Sequence, residues 1–198
     1  MLDVKKKILS GILGFGILCS GLLINLGIPT PASATVSLPQ CLTDQTGLSE
    51  FNAVTNNVEL VARLIYSEAA AESMDGKKGV AQVVINRQLK NLSEFGGTNV
   101  RNVVLKTPGG FDGMTKSGAR CPSDVLAWNN SWLAANDPGS ATKRVGSTLW
   151  FNTPTVFAQR DGYDGAGYLT YTFPGQPAKR VMERVDIGNH IFFRVYGY

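Results

Sequence analysis

Glu68 ends an apolar stretch of the chain, and its type and position point more directly to chemistry than those of any other residue. Leu60, Val61, Leu64, Ile65 and Glu68 recur at i, i+1, i+4, i+5 and i+8, so a helix would place them on one stripe. Burial at the end of that stripe would disfavour the ionised carboxylate and raise its pKa. Such a carboxyl group can donate a proton near neutral pH. The alternative is that Glu68 turns out to solvent near the helix end.

The other reactive residue types argue against several kinds of site. His190 is the single histidine and no Cys-x-x-Cys pair occurs, so the sequence does not predict a zinc site or any other metal site. A Gly-x-Ser-x-Gly elbow, a P-loop and a dinucleotide fingerprint are missing from the sequence, and no cofactor is expected. Cys121 and His190 could form a thiol–imidazole pair. Carboxylate chemistry is what is left, and cleavage of glycosidic bonds runs on carboxyl groups alone.

Three helices are predicted to position these groups. Asn56 or Asn57 can cap a first helix that runs to about residue 71 and carries Glu68. A break at Met74-Asp75-Gly76 precedes a second helix over 78–90. The third helix is predicted over 122–135, with Ser123 as its cap. Its predicted inward-facing set is Val125, Leu126, Trp128, Trp132 and Leu133.

The C-terminal part of the chain predicts a sheet. From Gly146 onward β-branched and aromatic residues alternate with Gly and Pro, which is typical of short antiparallel strands. The predicted strands cover 149–151, 168–173, 181–187 and 191–196. Residues 99–106 form either a short helix or an extended segment. Helices followed by strands indicate an α+β fold.

The N-terminus predicts a secreted protein. Lys5, Lys6 and Lys7 precede an apolar run over 8–26, and the small residues Ala32-Ser33-Ala34 follow it. This is the pattern of a secretory signal peptide over residues 1–34, with cleavage before Thr35 and export to the periplasm or cell wall. An uncleaved membrane anchor is the alternative.

The remaining chain is predicted to be one domain with a short arm, in a monomer. Residues 35–56 form the arm and 57–198 the main domain. Loss of three lysines and one aspartate with residues 1–34 lowers the net charge from +4 to +2. This charge suits contact with an acidic cell wall, and no basic cluster is dense enough to predict nucleic-acid binding.

Two cysteines, Cys41 and Cys121, are left after cleavage. In an oxidising compartment they are expected to form a disulfide that ties the arm to a central loop. The competing interpretation is that one of them is a catalytic thiol.

Several segments together resemble the SleB-type cell wall hydrolases, which are relatives of spore cortex-lytic enzymes. The first is 64–69 with Glu72 and 75–87, which is similar to the opening motif of that family. Three further segments fit in the same order: 108–111, 146–154 and 187–192. The resemblance covers about 58–194. The family commonly has Arg-Gly where this chain has Ala70-Ala71, so the helix end near Glu72 departs from the pattern.

The resemblance implies a lysozyme-like α+β domain that cleaves the glycan strands of peptidoglycan. The family's essential glutamate falls at Glu68. As in lytic transglycosylases, it would protonate the oxygen between N-acetylmuramic acid and N-acetylglucosamine. It would then take the proton of the sugar's own 6-hydroxyl and leave a 1,6-anhydro end. Hydrolysis by water, as in muramidases, is the other possible outcome.

The same segments supply seven candidate substrate-binding residues: Glu72, Phe111, Trp150, Phe151, Asn152, Asn189 and His190. Trp150 and Phe151 alternate along a strand, so one is expected to face a cleft and the other the core. Glu72 could instead be a solvated glutamate at the helix end, and His190 a structural histidine. Arg87 could neutralise Glu72 or bind an acidic peptide stem.

Two main functions follow from the sequence. The first is a secreted enzyme that cleaves the wall with Glu68. The second is a non-catalytic peptidoglycan-binding protein that retains the fold. A Cys121–His190 peptidase is a third, more distant alternative.

Overall fold

The structure is a computed structural model that describes residues 36–198. Thr35–Tyr198 forms one compact unit in which helices come first and an antiparallel sheet follows, so the predicted α+β class is confirmed. The predicted signal peptide, 1–34, and its cleavage point before Thr35 lie outside the described residues. Within 36–198, no helix combines the length and apolarity needed to cross a bilayer.

Six α-helices, α1–α6, are joined by turns and short 3-10 helices. Their bounds are Asn57–Ala69, Met74–Lys90, Val100–Val104, Ser117–Arg120, Val125–Asn136 and Pro154–Ala158. The 3-10 helices cover Thr46–Ala53, Ser93–Phe95, Asp112–Thr115 and Pro138–Ser140. Helices α1, α2 and α5 were predicted in outline and α3 as one of two options, whereas α4 and α6 were not predicted.

Helix α1 forms as its sequence predicts. The Asn56 side chain accepts hydrogen bonds from the backbone N–H groups of Val58 and Glu59, which satisfies two donors of the first turn. The apolar stripe of Leu60, Val61, Leu64 and Ile65 is buried against the other helices. Glu68 lies in the last turn of α1, on the continuation of that stripe.

The predicted break between the first two helices is displaced by a few residues. Met74-Asp75-Gly76 forms the first turn of α2, because the Ser73 side chain accepts a hydrogen bond from the N–H of Gly76 and caps the helix there. The chain turns instead over 70–73. There the buried amino group of Lys77 donates to the carbonyl oxygens of Ala70 at 2.7 Å and Glu72 at 2.6 Å.

The predicted start of α5 is wrong, and of its predicted apolar set Trp128 is buried whereas three others are exposed. Asp124, not Ser123, caps the helix, by accepting from the N–H of Ala127 at 2.8 Å. The N–H groups of both Ser123 and Asp124 donate to the Tyr66 hydroxyl, which holds this segment outside the helix. The buried face is Trp128, Ser131 and Ala134, whereas Val125, Leu126 and Leu133 are exposed.

Five antiparallel strands form a sheet in the order β1-β5-β4-β3-β2. Their bounds are Trp150–Asn152, Asp161–Tyr163, Leu169–Tyr171, Lys179–Ile187 and His190–Val195. The sequence missed β2, a short edge strand whose Asp and Gly are disfavoured in strands. It also missed α6, which Pro154 begins and the Thr153 side chain caps.

Strand β5, which lies next to the edge strand β1, separates two buried clusters. Phe192 points toward the helices and joins the main core with α1 and α2. Phe193 points to the opposite face and packs with Phe157 and Tyr171. Because β1 pairs with β5 in the register Trp150↔Phe193 and Phe151↔Phe192, the two β1 aromatics divide between these faces. The edge of the sheet at β1 therefore meets both cores, and the candidate site lies there.

The predicted disulfide between Cys41 and Cys121 is present. It joins the N-terminal arm to the end of α4, next to a hydrogen bond from the N–H of Leu42 to the carbonyl of Arg120. Cys121 is therefore not available as a thiol, and the thiol–imidazole alternative with His190 is wrong for this oxidised form.

Candidate functional site

A cavity of about 400 Å³ opens between the end of α1, the 109–116 loop and the β1 edge of the sheet. Six of the eight residues predicted as site residues line it: Glu68, Phe111, Trp150, Phe151, Asn152 and His190. A smaller depression, lined by Lys78, Gly139 and Arg144, has no carboxyl group in its lining. The cavity at β1 therefore combines a carboxyl group with aromatic walls.

Glu68 is held by the turn that contains Gly113. The N–H of Gly113 donates to Oε1 of Glu68 at 2.6 Å. The neighbouring Ser67 hydroxyl donates to the carbonyl oxygen of Gly113 at 2.8 Å. Two consecutive residues of α1 thus bind both backbone polar groups of one glycine, which fixes the carboxyl group at the cavity wall.

Burial raises the pKa of Glu68 above its ordinary value, because the ionised form loses solvation. The N–H of Gly113 and the positive charges of Lys116 and Arg87 oppose this pKa rise, and the charge of Asp112 adds to it. Burial thus makes the Glu68 carboxyl group keep its proton to higher pH than an exposed glutamic acid. The Gly113 N–H and the two positive charges stabilise the carboxylate that remains once the proton is given up. Both properties are needed in a group that acts first as an acid and then as a base.

Gly113 is a site residue that the sequence did not reveal. A Cβ atom at this position would lie 2.6 Å from Oε1 of Glu68 and 2.7 Å from its carboxyl carbon, closer than real Cβ contacts come. Glycine is therefore required for the carboxyl group to approach the backbone this closely. The sequence indicates a loop here, from the glycines at 109, 110 and 113. Only the fold shows that Gly113 contacts Glu68.

Aromatic rings form one wall of the cavity. Phe111 stacks on Phe151 with ring centroids 6.0 Å apart, and Phe151 meets the His190 ring edge-to-face at 5.0 Å. Trp150 lines the cavity from the other face of β1 and packs against Phe173 at 4.9 Å. The prediction that one β1 aromatic faces a cleft and the other the core is too simple, because both rings are half-buried and both reach the cavity.

His190 is 5 % exposed, and its Nδ1 atom has no hydrogen-bond partner within the described part of the chain. Burial lowers the pKa of His190, and the charge of Glu72 partly offsets this. The ring is therefore neutral at pH 7, when one of its nitrogens can accept a hydrogen bond. Asn152 lies nearby, and its amide donates to the hydroxyl of Tyr171 at 2.7 Å.

Glu72 and Asn189 are not among the residues that line the cavity. Instead, Oε2 of Glu72 accepts a hydrogen bond from the N–H of Asn189 at 3.1 Å. Gly188, with φ of 57°, leaves the space that this carboxylate occupies, since a Cβ there would lie 2.0 Å from the same oxygen. The contact joins the turn between α1 and α2 to the β4–β5 turn, directly before His190.

Arg87 lies at the cavity rather than against Glu72. Its side chain is 4 % exposed, lines the cavity with Glu68, and donates through Nε to the carbonyl of Leu149 at 2.8 Å. Burial lowers the pKa of Arg87 to about 10, and the charge of Glu68 acts in the opposite direction. Arg87 therefore stays cationic at neutral pH.

Metal ligands are not grouped in the described structure. No three His, Cys, Asp or Glu side chains of residues 36–198 come together as a candidate metal site. The cavity's own acids are Glu68 and the exposed Asp112.

These features define a class of site in which a half-buried carboxyl group lies in an open, aromatic-lined cleft on an α+β domain. The sequence profile of the cell wall hydrolase family matches residues 71–193. This match covers more than half of the chain, and the protein belongs to the cell wall hydrolase family. The matched segment includes most of the cavity lining, but it begins three residues after Glu68.

Two solved structures are similar to the chain. One is the catalytic domain of the germination-specific lytic transglycosylase SleB from Bacillus anthracis. It is 18% identical, with a TM-score of 0.46, over 71% of this chain and 95% of that chain. The other is the catalytic domain of the Bacillus cereus SleB protein. It is 22% identical, with a TM-score of 0.42, over 70% and 89% of the two chains. No curated protein sequence matches.

Proposed function

We propose that this protein cleaves the glycan strands of peptidoglycan outside the cytoplasmic membrane, with Glu68 as the general acid and base. The observation that carries the proposal is the half-buried Glu68 carboxyl group, with its raised pKa, in the aromatic-lined cavity of a member of the cell wall hydrolase family. The Cys41–Cys121 disulfide and the predicted signal peptide support action in an oxidising compartment. A lysozyme-like relationship of the domain stays a prediction.

The proposed reaction begins with protonated Glu68. Its proton passes to the oxygen between two sugars, the bond from C1 to that oxygen breaks, and the leaving sugar departs with a hydroxyl group. Glu68 is then a carboxylate, stabilised by the N–H of Gly113 and by the charges of Lys116 and Arg87.

In the second half, the 6-hydroxyl of the cleaved sugar attacks C1 and gives its proton to Glu68. This closes a 1,6-anhydro ring and restores the acid, so one carboxyl group serves both steps. The aromatic wall of Phe111, Phe151 and Trp150 supplies apolar faces for sugar rings. His190 and Asn152 supply polar groups that can orient hydroxyl or acetamido groups.

Asp112 raises a specific alternative to the anhydro product. It also lines the cavity and its charge acts on Glu68, so it could activate water for hydrolysis. The anhydro route is preferred because Asp112 is exposed, and no hydrogen bond to its side chain orients it among the described residues.

Mass spectrometry of products from purified cell wall tests the proposal. We expect 1,6-anhydro ends from the wild type, and the same ends at a similar rate from Asp112→Asn. Reducing ends that disappear in Asp112→Asn would establish hydrolysis instead. A folded wild-type protein that binds walls but releases no fragments from several wall types would support the non-catalytic binding alternative.

A further inference from the structure

The guanidinium of Arg87 is buried without a full set of partners. Its Nη1 atom is buried and has no acceptor among residues 36–198, and the one hydrogen bond that the side chain makes is from Nε to Leu149. No carboxylate of the described chain forms a salt bridge with it. Burial of a charged guanidinium without acceptors for its N–H groups costs free energy, which a bound ligand with an acceptor atom would offset.

The group is also held in place before any ligand binds. Its central carbon lies 4.3 Å from the ring centroid of Phe111 and 5.2 Å from that of Phe95. Together with the Leu149 hydrogen bond, these contacts fix the plane of the guanidinium. A fixed fork loses little conformational freedom on binding a planar acceptor.

The charge of the cavity favours an anionic acceptor. Arg87, Lys116 and Arg160 line it, against the acids Glu68 and Asp112. Because the proposed reaction starts with Glu68 protonated, the cavity carries more positive than negative charge when substrate arrives. Carboxylates are the planar anions that a guanidinium binds most specifically.

We propose that Arg87 binds a carboxylate of the muramyl unit and thereby selects which glycosidic bond lies next to Glu68. The inference rests on the proposed function and names a specificity-determining residue for it. In peptidoglycan only the muramyl sugar bears a lactyl group, which ends in a carboxylate or continues into a peptide stem with its own carboxylates. N-acetylglucosamine has neither, so Arg87 distinguishes the two sugars of the repeat.

Four substrates test the inference and separate the two sources of carboxylate. They are stem-bearing glycan, stem-free glycan with free lactyl carboxylates, and each of these with its carboxylates converted to neutral amides. Loss of a hydrogen-bonded charge is worth about 1.5–3 kcal/mol, or roughly 10- to 150-fold. We expect amidation to lower wild-type kcat/KM by this factor on the glycan that supplies the carboxylate.

Two variants with the same substitution provide the comparison. Arg87→Gln should cleave the charged and amidated forms within about threefold of each other, and should release ends at both sugars. Arg101→Gln removes the same charge outside the cavity, where Arg101 donates to the carbonyls of Phe51 and Val54. Arg101→Gln should retain the wild-type preference for charged glycans. If the preference came only from the net positive charge of the protein, both variants would lose it equally.

The inference is overturned if the wild type cleaves amidated and charged glycans equally well, or if Arg87→Gln keeps the wild-type preference. If Arg87→Gln does not fold, Arg87→Lys replaces it, and its preference should also fall because the fork is lost. Calorimetry of the four glycans, as soluble fragments, with the Glu68→Gln variant separates the role of Arg87 from the proposed function. Tighter binding of the charged glycans than of the amidated ones supports the role of Arg87 even if Glu68 is not the catalytic acid. Equal binding of both forms contradicts the role of Arg87.

Discussion

Two buried arginines show how the same residue type stabilises one region of the molecule and prepares another for a ligand. Arg63 is 1 % exposed, and its guanidinium donates to Glu59 and to the carbonyls of Ala119, Arg120 and Gln40 at 2.7–3.0 Å. It ties α1 to the disulfide-linked arm. Arg87 is 4 % exposed but makes a single hydrogen bond. The fold supplies acceptors for the guanidinium of Arg63, whereas Arg87 lines a cavity and has N–H donors without an acceptor.

The difference extends beyond arginine. Four buried side-chain atoms of residues 36–198 have no hydrogen-bond partner, and two of them, Arg87 Nη1 and His190 Nδ1, belong to residues that line the cavity. The others are in Glu50 and Thr148. Because unpartnered buried polar atoms are costly, their presence around one cavity is a physical reason to expect a polar ligand there.

Apart from replacement of Glu68 itself, the largest effect on turnover is expected from Gly113→Ala. The added methyl group would lie within 2.6–2.8 Å of three atoms of Glu68 and push its carboxyl group away. A displacement of about 1 Å costs on the order of 100-fold in rate, so turnover of cell wall should fall by at least that factor.

Gly139→Ala is the matched control for that change, since nothing lies within 4 Å of a Cβ at Gly139. It should lyse walls like the wild type, and thermal unfolding should confirm that both variants fold. Normal turnover by Gly113→Ala would show that the position of Glu68 is less critical than its contact with Gly113 implies.

The two arginines should differ in stability when each is replaced by glutamine. Arg63→Gln leaves several buried acceptors and Glu59 without a donor, and should lower the free energy of unfolding by about 3–5 kcal/mol. Arg87→Gln loses one hydrogen bond but also removes a buried, incompletely paired charge, so it should lower the free energy of unfolding by at most about 1 kcal/mol. Denaturant titration measures both. An equal loss at the two positions would contradict the contrast between them.

The pH dependence of activity should follow Glu68. Because its pKa is raised and the protonated form is the acid, kcat/KM should fall as pH rises through that raised pKa. Lys116→Met removes a positive charge that lowers the pKa, so the fall should move to higher pH. An unchanged or lowered pH midpoint in Lys116→Met would contradict this electrostatic account.

The same group should contribute to the pH dependence of stability. A carboxyl group whose pKa is higher in the folded protein than in the unfolded chain stabilises the fold below its ordinary value of 4.5. That contribution is lost as pH rises through the raised folded pKa. Glu68→Gln should remove this pH-dependent contribution to the free energy of unfolding. Denaturant titrations at several pH values from below 4.5 to above the raised pKa measure it.

The smallest effect is expected at His190. The lowered pKa of His190 favours a neutral ring that can bind substrate, and the proposal gives both proton transfers to Glu68. His190→Ala should therefore stay within about tenfold of wild-type turnover, the loss of one ordinary hydrogen bond. Chelators should not inhibit either protein. A loss as large as that of a catalytic acid, or strict metal dependence, would give His190 a different role.

Local sequence patterns predicted the features that depend on them. The stripe of α1 carries Glu68 to the cavity wall, and the alternation of Trp150 and Phe151 places aromatic rings beside it. The signal-like N-terminus and two remaining cysteines predicted the Cys41–Cys121 disulfide. In each case the spacing of a few neighbouring residues contains the information.

Features set by distant contacts could not be predicted in the same way. Gly113 meets Glu68 across 45 positions of sequence, and Arg87 lies near Glu68 rather than Glu72, which only the packing of α2 in the fold shows. On α5 the burial of Trp128 was predicted correctly, but Leu126 is exposed because the buried face runs through Trp128, Ser131 and Ala134. Tertiary packing decides each of these.

The most direct test of the account compares wall cleavage by Glu68→Gln with that by Glu94→Gln. Both variants carry the same substitution, but Glu94 is exposed and lies outside the cavity. Glu68→Gln keeps a side chain of similar shape and removes the titratable proton. We expect its turnover to fall by about 10²–10⁴-fold while the protein stays folded and still binds cell wall, and Glu94→Gln to remain active. Wild-type lysis by a folded Glu68→Gln protein would contradict the account.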